Sequence, residues 1–282
     1  MGVLEAEDIR ALSLKGPLLA RRYYDPPFLR KPSVDLDLAV RDEDLERACA
    51  AFVREGYVPH APLRQVKALS YHAMLLHPTR RRIELHFRLN SGPAGIAVSE
   101  LFERATPCEL PGGRAAWVLS PPDELLYLVL HMVGDRFAAL FHTYEVRRIW
   151  LENTAETRRK AVQLGIEHHC MSALKMADVA CRSLWGEALF PVDSLLVKTW
   201  LDQRLNEDLY RAFADWWKGD QPLRLSNRLR GRWLDFQLTD RPLDAFRMAQ
   251  NLARTAWFSF RTRGWRTAKI PRFATARSKR CA

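Results

Sequence analysis

The sequence has few cysteines, and none of them stands in a pattern typical of a metal site or a disulfide framework. Five cysteines are scattered over 282 residues, and no two form a Cys-x-x-Cys pair. Neither a zinc site nor a network of disulfides is therefore indicated. The chain also lacks an uninterrupted apolar run of about 18 residues, so we expect no transmembrane segment.

The amino terminus lacks the pattern of a secretory signal. MGVLEAEDIR carries acidic residues where a signal peptide would carry basic residues and an apolar run. We therefore expect a soluble protein in a reducing, bacterial-type cytoplasm.

Acidic residues are absent from the carboxyl-terminal stretch. Residues 245–282 contain ten Lys or Arg and no Asp or Glu, although the whole chain has 44 basic and 33 acidic residues. The net charge of +11 is thus a property of this tail. Its interleaved aromatic residues fit an acidic partner, nucleic acid, a membrane surface or a solvated terminus.

The hydrophobic pattern changes its period near residue 119. Before that point, a short helix is expected over 4–13, followed by strands of period two and further helices. From SPPDELLYLVLHMV onwards, nearly every segment has the helical period of 3.6. This order predicts an α+β protein with an α/β domain at 1–119, a helical domain at 120–244 and a basic, aromatic-containing helix and tail at 245–282.

Two aspartates alternate with apolar residues on one predicted strand. In PSVDLDLAV, Asp35 and Asp37 leave the same face about 6.5 Å apart along the strand. The opposite face carries four apolar residues: Val34, Leu36, Leu38 and Val40. Burying two carboxylates without a cation is costly, and Mg²⁺ prefers carboxylate oxygens. The alternative is an edge strand with both aspartates in solvent.

A second predicted strand, RIELHFRL, presents Glu84 and His86 on one face. If the two strands are neighbours, Asp35, Asp37 and Glu84 converge, and such a group can hold two metal ions about 3.5–4 Å apart for phosphoryl chemistry. His86 would order Glu84, contact a substrate phosphate, or simply be a polar residue on that face.

Three further positions are candidates for contacts with a phosphate or substrate. A helix beginning at Gly16 would aim backbone N–H groups at an anion, and Lys15 would add positive charge; a surface turn is the alternative. Arg30 precedes the aspartate strand, where it is either a phosphate contact or a surface residue. His131 lies on the helix that begins SPPDELL and is either substrate-facing or a core histidine.

These motifs, in this order, resemble the DNA polymerase β-type nucleotidyltransferase superfamily. The sequence is most similar to nucleotidyltransferase family 5, the uncharacterised nucleotidyltransferases, over roughly residues 9–185. The shared features are LKG at 14–16, YYDPPFLR at 23–30, VDLDLAV at 34–40, EGY at 55–57, IELHFRL at 83–89 and LSPPDELLYLVLH at 119–131. The sequence departs from the superfamily in having Lys15-Gly16 instead of Gly-Ser, and a longer gap between Gly16 and Asp35.

The resemblance implies a mixed sheet with flanking helices and transfer of a nucleoside monophosphate from an NTP to an acceptor hydroxyl or phosphate. It implies that Asp35 and Asp37 hold two Mg²⁺ ions and that Glu84 holds the ion that activates the acceptor. A small molecule, a peptide natural product, a protein or an RNA end would serve as acceptor, and gene neighbourhoods in the family favour a biosynthetic role. The competing hypotheses are a catalytically silent nucleotide- or peptide-binding scaffold and a phosphotransferase.

Overall fold

The computed structural model describes residues 2–89, 96–109, 115–135, 140–190, 236 and 239–261. Within these residues, seven strands form one mixed sheet in the order β3-β4-β5-β2-β1-β7-β6. The strands are β1 Leu12–Ser13, β2 Asp35–Ala39, β3 Val58–Pro59, β4 His72–Leu76, β5 Arg82–His86, β6 Thr106–Glu109 and β7 Ala115–Val118.

The described helices flank this sheet. They are α1 Gly2–Glu5, α2 Pro17–Tyr23, α3 Leu45–Arg54, α4 Leu63–Leu69, α5 Val98–Arg104, α6 Pro121–Gly134, α7 Leu140–Glu152, α8 Ala155–Glu167, α9 Met171–Trp185 and α10 Pro242–Arg261. Short 3₁₀ turns cover Pro27–Leu29 and Asp42–Asp44. None of these helices combines the length and the apolar composition that are needed to cross a bilayer.

The two strands that flank β2 run in opposite directions to each other. Strand β2 pairs parallel with β5, which places Asp37 opposite Glu84, and antiparallel with β1, which places Leu12 opposite Ala39. Strands β4 and β5 form an antiparallel hairpin, and so do β6 and β7. The mixed sheet with flanking helices predicted from the sequence is therefore confirmed.

One face of the β4-β5-β2 region is apolar and packs on α3. Leu38, Leu75 and Leu85 from these strands are buried in one cluster with Leu45 and Phe52 of α3. The alternating residues of β2 therefore lie on the apolar and polar faces as the sequence predicts, with one exception. Val34 is 72% exposed, because the strand begins only at Asp35; its predicted place on the apolar face is wrong.

The other core is formed mainly by α5–α9 and reaches into the sheet. Leu12 and Ala39 belong to the same buried cluster as Leu126, Met132 and Trp150. Helix α6 begins after the N-cap Ser120 with two prolines in its first turn. The predicted boundaries at residues 119 and 244 stay predictions, and most of residues 191–238 lie outside the described part of the chain, as does 262–282 of the predicted tail.

The amino-terminal segment differs from the expected helix over 4–13. Helix α1 ends at Glu5, and Leu12–Ser13 instead form β1 between β2 and β7. Leu12 is fully buried between Ala39 and Trp117. Tertiary strand pairing thus overrides the local amphipathic pattern here.

Candidate active site

The polar faces of β2 and β5 carry the predicted acids side by side. Parallel pairing sets Asp35 opposite Arg82, Asp37 opposite Glu84 and Ala39 opposite His86. The nearest ligand atoms of Asp37, Glu84 and His86 all lie within 4.8 Å of one another. Residues that are about fifty positions apart in sequence are therefore joined in one cluster by a single strand pair.

Two basic side chains lie between the acids. Lys15 Nζ is 3.2 Å from Asp37 Oδ2, and Arg82 Nη2 is 2.6 Å from Asp35 Oδ2. Arg82 also reaches Glu84, with Nε 3.4 Å from Oε1. Positive charge beside the buried Asp37 and the partly exposed Asp35 is thus supplied partly by the protein itself.

A cleft opens beside this cluster, between β2 and the helices α6 and α7. The cleft is lined by residues from the loop before α2, the segment before β2, β2 itself, and α6 and α7. They are Lys15, Arg30, Lys31, Pro32, Ser33, Val34, Asp35, Asp37, Leu128, His131, Asp135, Phe141, His142, Glu145 and Val146. Lysine, arginine and histidine residues thus line the same cleft as the two aspartates, and their positive charge suits an anionic substrate.

The loop before α2 holds Lys15 in this cleft. Gly16 is the N-cap of α2 and has φ of 79° and ψ of −139°, a conformation that side-chain-bearing residues rarely adopt. The ammonium of Lys15 also contacts Nε2 of His131 on α6. The structure therefore brings together Lys15, Asp37 and His131, which the sequence assigned to separate motifs.

Arg30 has a different environment from the one expected of a free phosphate contact. Its side chain is buried, and it bonds Glu145 through Nε at 2.6 Å and Nη2 at 3.1 Å. Its Nη1 donates to Ser33 Oγ at 3.0 Å. Arg30 is therefore not the surface residue of the alternative interpretation; its assignment as a phosphate contact stays a prediction.

Comparison with known proteins assigns the chain to a family. The model of the uncharacterised nucleotidyltransferases matches residues 1–181, which include every element described above from α1 to β7 and α6 to α8. The chain belongs to the uncharacterised nucleotidyltransferase family. The enzyme class predicted from the sequence, a nucleotidyltransferase, is thereby confirmed.

Two other comparisons add little to this assignment of a nucleotidyltransferase. A search of curated proteins finds no match. Among solved structures, one similar chain is the antibiotic-resistance factor ANT(2'')-Ia in solution, with 14% identity and a TM-score of 0.42 over 60% of this chain and 91% of that one. Similarity at that level decides nothing about the substrate of this nucleotidyltransferase.

The electrostatics of the nucleotidyltransferase site differ sharply between its two central acids. Burial alone would raise the pKa of Asp37, but the hydrogen bond from His86 Nε2 at 3.1 Å and the charge of Lys15 outweigh it. The pKa of Asp37 therefore lies well below its usual range. Burial, and next the charge of Asp37, raise the pKa of Glu84. The positive charge near Glu84 is thus too small to offset the effects of burial and of Asp37 on its ionised form.

The shortage of positive charge beside Glu84 is what a bound divalent cation would make good. A bound ion would stabilise the ionised form of Glu84 and would relieve its repulsion from Asp37. Carboxylate oxygens are the ligands that Mg²⁺ prefers, and the two acids present theirs within 4.8 Å. Arg82, with a side chain 39% exposed, has room to turn from Asp35 and Glu84 towards solvent. The residues present are therefore compatible with Mg²⁺.

Several residues of the nucleotidyltransferase site were missed by sequence reasoning. His72 on β4 lies opposite His86, and burial lowers its pKa to about 4. The alternation in LSYHAMLLH would have placed His72 on the acidic face, so a signal for it existed. Asp135 and His142 carry no such signal, because their position depends on the packing of α7 against α6.

Proposed function

We propose that this protein is a Mg²⁺-dependent nucleotidyltransferase that transfers a nucleoside monophosphate from an NTP to an acceptor bound in the cleft. The observation that carries the proposal is the parallel register of β2 and β5, which sets Asp37 opposite Glu84 with Asp35 on the same face. The acceptor is a small molecule, a peptide natural product, a protein or an RNA end.

In this proposal Asp35, Asp37 and Glu84 hold the metal ions. Two Mg²⁺ ions would supply charge stabilisation at both the attacking and the leaving oxygen of the displacement. His86 orients Asp37 through the 3.1 Å hydrogen bond and keeps its carboxylate ionised. Glu84 would hold the ion that activates the acceptor, and that ion would stabilise the Glu84 carboxylate against burial and against the neighbouring charge of Asp37.

The basic lining of the cleft binds the triphosphate in this proposal. Lys15 and Lys31 are both part of the lining, and the conformation of Gly16 fixes the backbone next to Lys15. Arg30 orders the wall through Glu145, and His131 keeps Lys15 directed at Asp37. The positive charge of these groups would offset the negative charge of the phosphates when the substrate enters.

Calorimetric titration of each NTP, with and without Mg²⁺, tests the proposal. Wild-type protein should bind at least one NTP with Mg²⁺, and Asp35→Ala/Asp37→Ala protein should not. Asp42→Ala, an exposed aspartate beyond β2, is the matched control and should bind as wild type does. Equal binding by the double variant would remove the aspartates from the site.

The released product separates the proposal from its rivals. Nucleotidyl transfer yields pyrophosphate, whereas a phosphotransferase yields a nucleoside diphosphate. A silent scaffold yields neither and would bind nucleotide or peptide without turnover. The basic tail at 245–282 would recruit an acidic partner, nucleic acid or a membrane surface, and such binding should weaken steeply as salt rises.

A further inference from the structure

A second group of potential metal ligands lies on the opposite wall of the cleft from the aspartates. His131 and Asp135 are one helical turn apart on α6 and just after it, and His142 projects from α7. One ligand atom from each of the three lies within 4.8 Å of the other two. All three residues line the cleft, so an ion bound there would be accessible from it.

Two of the three distances between these ligand atoms have the length of an edge of a small tetrahedron. Asp135 Oδ2 is 3.4 Å from His131 Nδ1 and 3.6 Å from His142 Nδ1. Ligands about 2.0–2.2 Å from a zinc ion lie about 3.3–3.6 Å from one another in tetrahedral geometry. An octahedral ion with bonds of that length would bring adjacent ligands to about 2.8–3.1 Å.

Hydrogen bonding explains these contacts less well. Both separations exceed the usual range of an N–H···O hydrogen bond. Nδ1 of His142 is buried and has no hydrogen-bond partner, although a buried polar nitrogen normally has one. The imidazole rings of His131 and His142 stand perpendicular to each other, with centroids 5.1 Å apart.

We propose that His131, Asp135 and His142 bind a transition-metal ion of the Zn²⁺ type. Two nitrogens and one carboxylate oxygen suit such an ion and differ from the oxygen ligands that Mg²⁺ prefers. Three protein ligands leave the fourth position to water or to a substrate atom that enters through the cleft. The absence of a Cys-x-x-Cys pair does not bear on this site, because none of its ligands is a cysteine.

Lys15 connects this site to the aspartates. Its ammonium contacts Nε2 of His131 and lies 3.2 Å from Asp37 Oδ2. An ammonium can only donate, so the proton of His131 is on Nδ1 while that contact lasts. With a metal ion on Nδ1, the neutral imidazole would carry its proton on Nε2 instead. Nε2 could then no longer accept from Lys15, whose ammonium would contact Asp37 alone. Occupation of the second site is therefore coupled to the position of Lys15.

Titration of the chelator-treated full chain with Co²⁺ tests the proposal without any nucleotide. Wild-type protein should bind one equivalent at the histidine site and develop the strong visible absorption of a tetrahedral Co²⁺ site, which Zn²⁺ should abolish. Asp135→Asn and His142→Ala should each weaken Co²⁺ binding by more than about tenfold, because even the loss of a residue that only hydrogen-bonds to a metal ligand lowers metal affinity by about that factor. His60→Ala, an exposed histidine, is the matched control.

The aspartate site provides the second arm of the experiment. Asp35→Ala/Asp37→Ala protein should keep the visible Co²⁺ spectrum, because neither aspartate is a ligand of the second site. If the spectrum is lost in that variant and kept in His142→Ala, the ion binds at Asp37, Glu84 and His86, and the proposal is wrong. A thiolate-to-cobalt band in the near ultraviolet would also overturn it, because it would place the ion on cysteine. Asp135→Asn keeps side-chain size, so it serves if His142→Ala does not fold.

Discussion

The ammonium of Lys15 lies 3.2 Å from the carboxylate of Asp37 and at the same time contacts the imidazole of His131. A single side chain thus connects the acidic face of the sheet with helix α6. Its charge acts in opposite directions on its two neighbours, since it lowers the pKa of Asp37 by attraction and that of His131 by repulsion.

Replacing Lys15 should reveal both effects. In Lys15→Met the pKa of His131 should rise, although burial, the larger cause of its depression, still holds it below the usual value. The pKa of Asp37 should rise as well, because the charge of Lys15 is one of the causes that lower it. Titration of the histidine ring protons by NMR measures the first effect. An unchanged titration of His131 would show that the contact with Lys15 is not formed in solution.

Removal of one acid should abolish nucleotidyl transfer while leaving the fold intact. Metal ions contribute several kcal/mol to phosphoryl displacement, so Asp37→Asn and Glu84→Gln should each reduce kcat/KM at least about 100-fold. Pyrophosphate release measures this, with Asp42→Asn as the matched control of equal charge change. Activity within a few-fold of wild type in either variant would contradict the metal assignment.

Removing one partner of the buried pair of Arg30 and Glu145 should destabilise the fold more than removing both. Glu145→Leu leaves the guanidinium of Arg30 buried without its carboxylate partner and should lower the free energy of unfolding by about 3–5 kcal/mol. Arg30→Met/Glu145→Leu removes both charges and should cost much less. Urea unfolding of the three proteins measures the difference. Equal losses in the single and double variants would show that the pair is not desolvated.

The double variant also bears on the role of Arg30. If Arg30 only orders the cleft wall, Arg30→Met/Glu145→Leu should keep most of its affinity for NTP. If its guanidinium also contacts a phosphate, affinity should fall even though the fold is restored. Calorimetric titration at equal Mg²⁺ concentration separates these outcomes.

Glu124 should make stability depend on pH around neutrality. Burial raises its pKa from 4.5 to about 7, although Arg22 Nη1 is only 2.7 Å from Oε1. The folded state therefore holds a proton that the unfolded state has lost between these two pH values. Stability should fall as pH rises through this window, by about 1.4 kcal/mol per pH unit.

Comparison with a neutral side chain isolates this contribution. Glu124→Gln should show a flatter stability profile than wild type between pH 5 and 7, measured by chemical unfolding at each pH. Glu103→Gln, an exposed residue, is the matched control and should parallel wild type. A wild-type profile that rises relative to Glu124→Gln over this range would reverse the sign and refute the assignment.

Local pattern was sufficient for the acidic strands and insufficient for the residues around them. The period of two in VDLDLAV and IELHFRL put Asp37 and Glu84 on the polar faces, and the parallel register then set them opposite each other. Val34 fits the same period but lies outside the strand, because pairing begins one residue later. Periodicity says which face a side chain takes and not where the ladder starts.

Contacts between distant helices were beyond sequence reasoning. Glu145 is 115 residues from Arg30, and no local pattern indicates that the two are paired. His142 and Asp135 meet through the packing of α7 on α6, which depends on how whole helices fit rather than on spacing. His131 was identified as a candidate by its helix, while its contact with Lys15 became apparent only from the tertiary structure.

The two residues of β1 join the two parts of the sheet. Leu12 and Ser13 pair with β2 on one side and with β7 on the other, so a ladder of only two residues carries the connection between the aspartate strands and the β6–β7 hairpin. Lys15 follows two positions later. Local opening of β1 would separate the β6–β7 hairpin from the rest of the sheet and move Lys15 away from Asp37. Hydrogen exchange at the amides of Leu12 and Ser13 therefore reports how often the acidic face of the sheet loses this lysine.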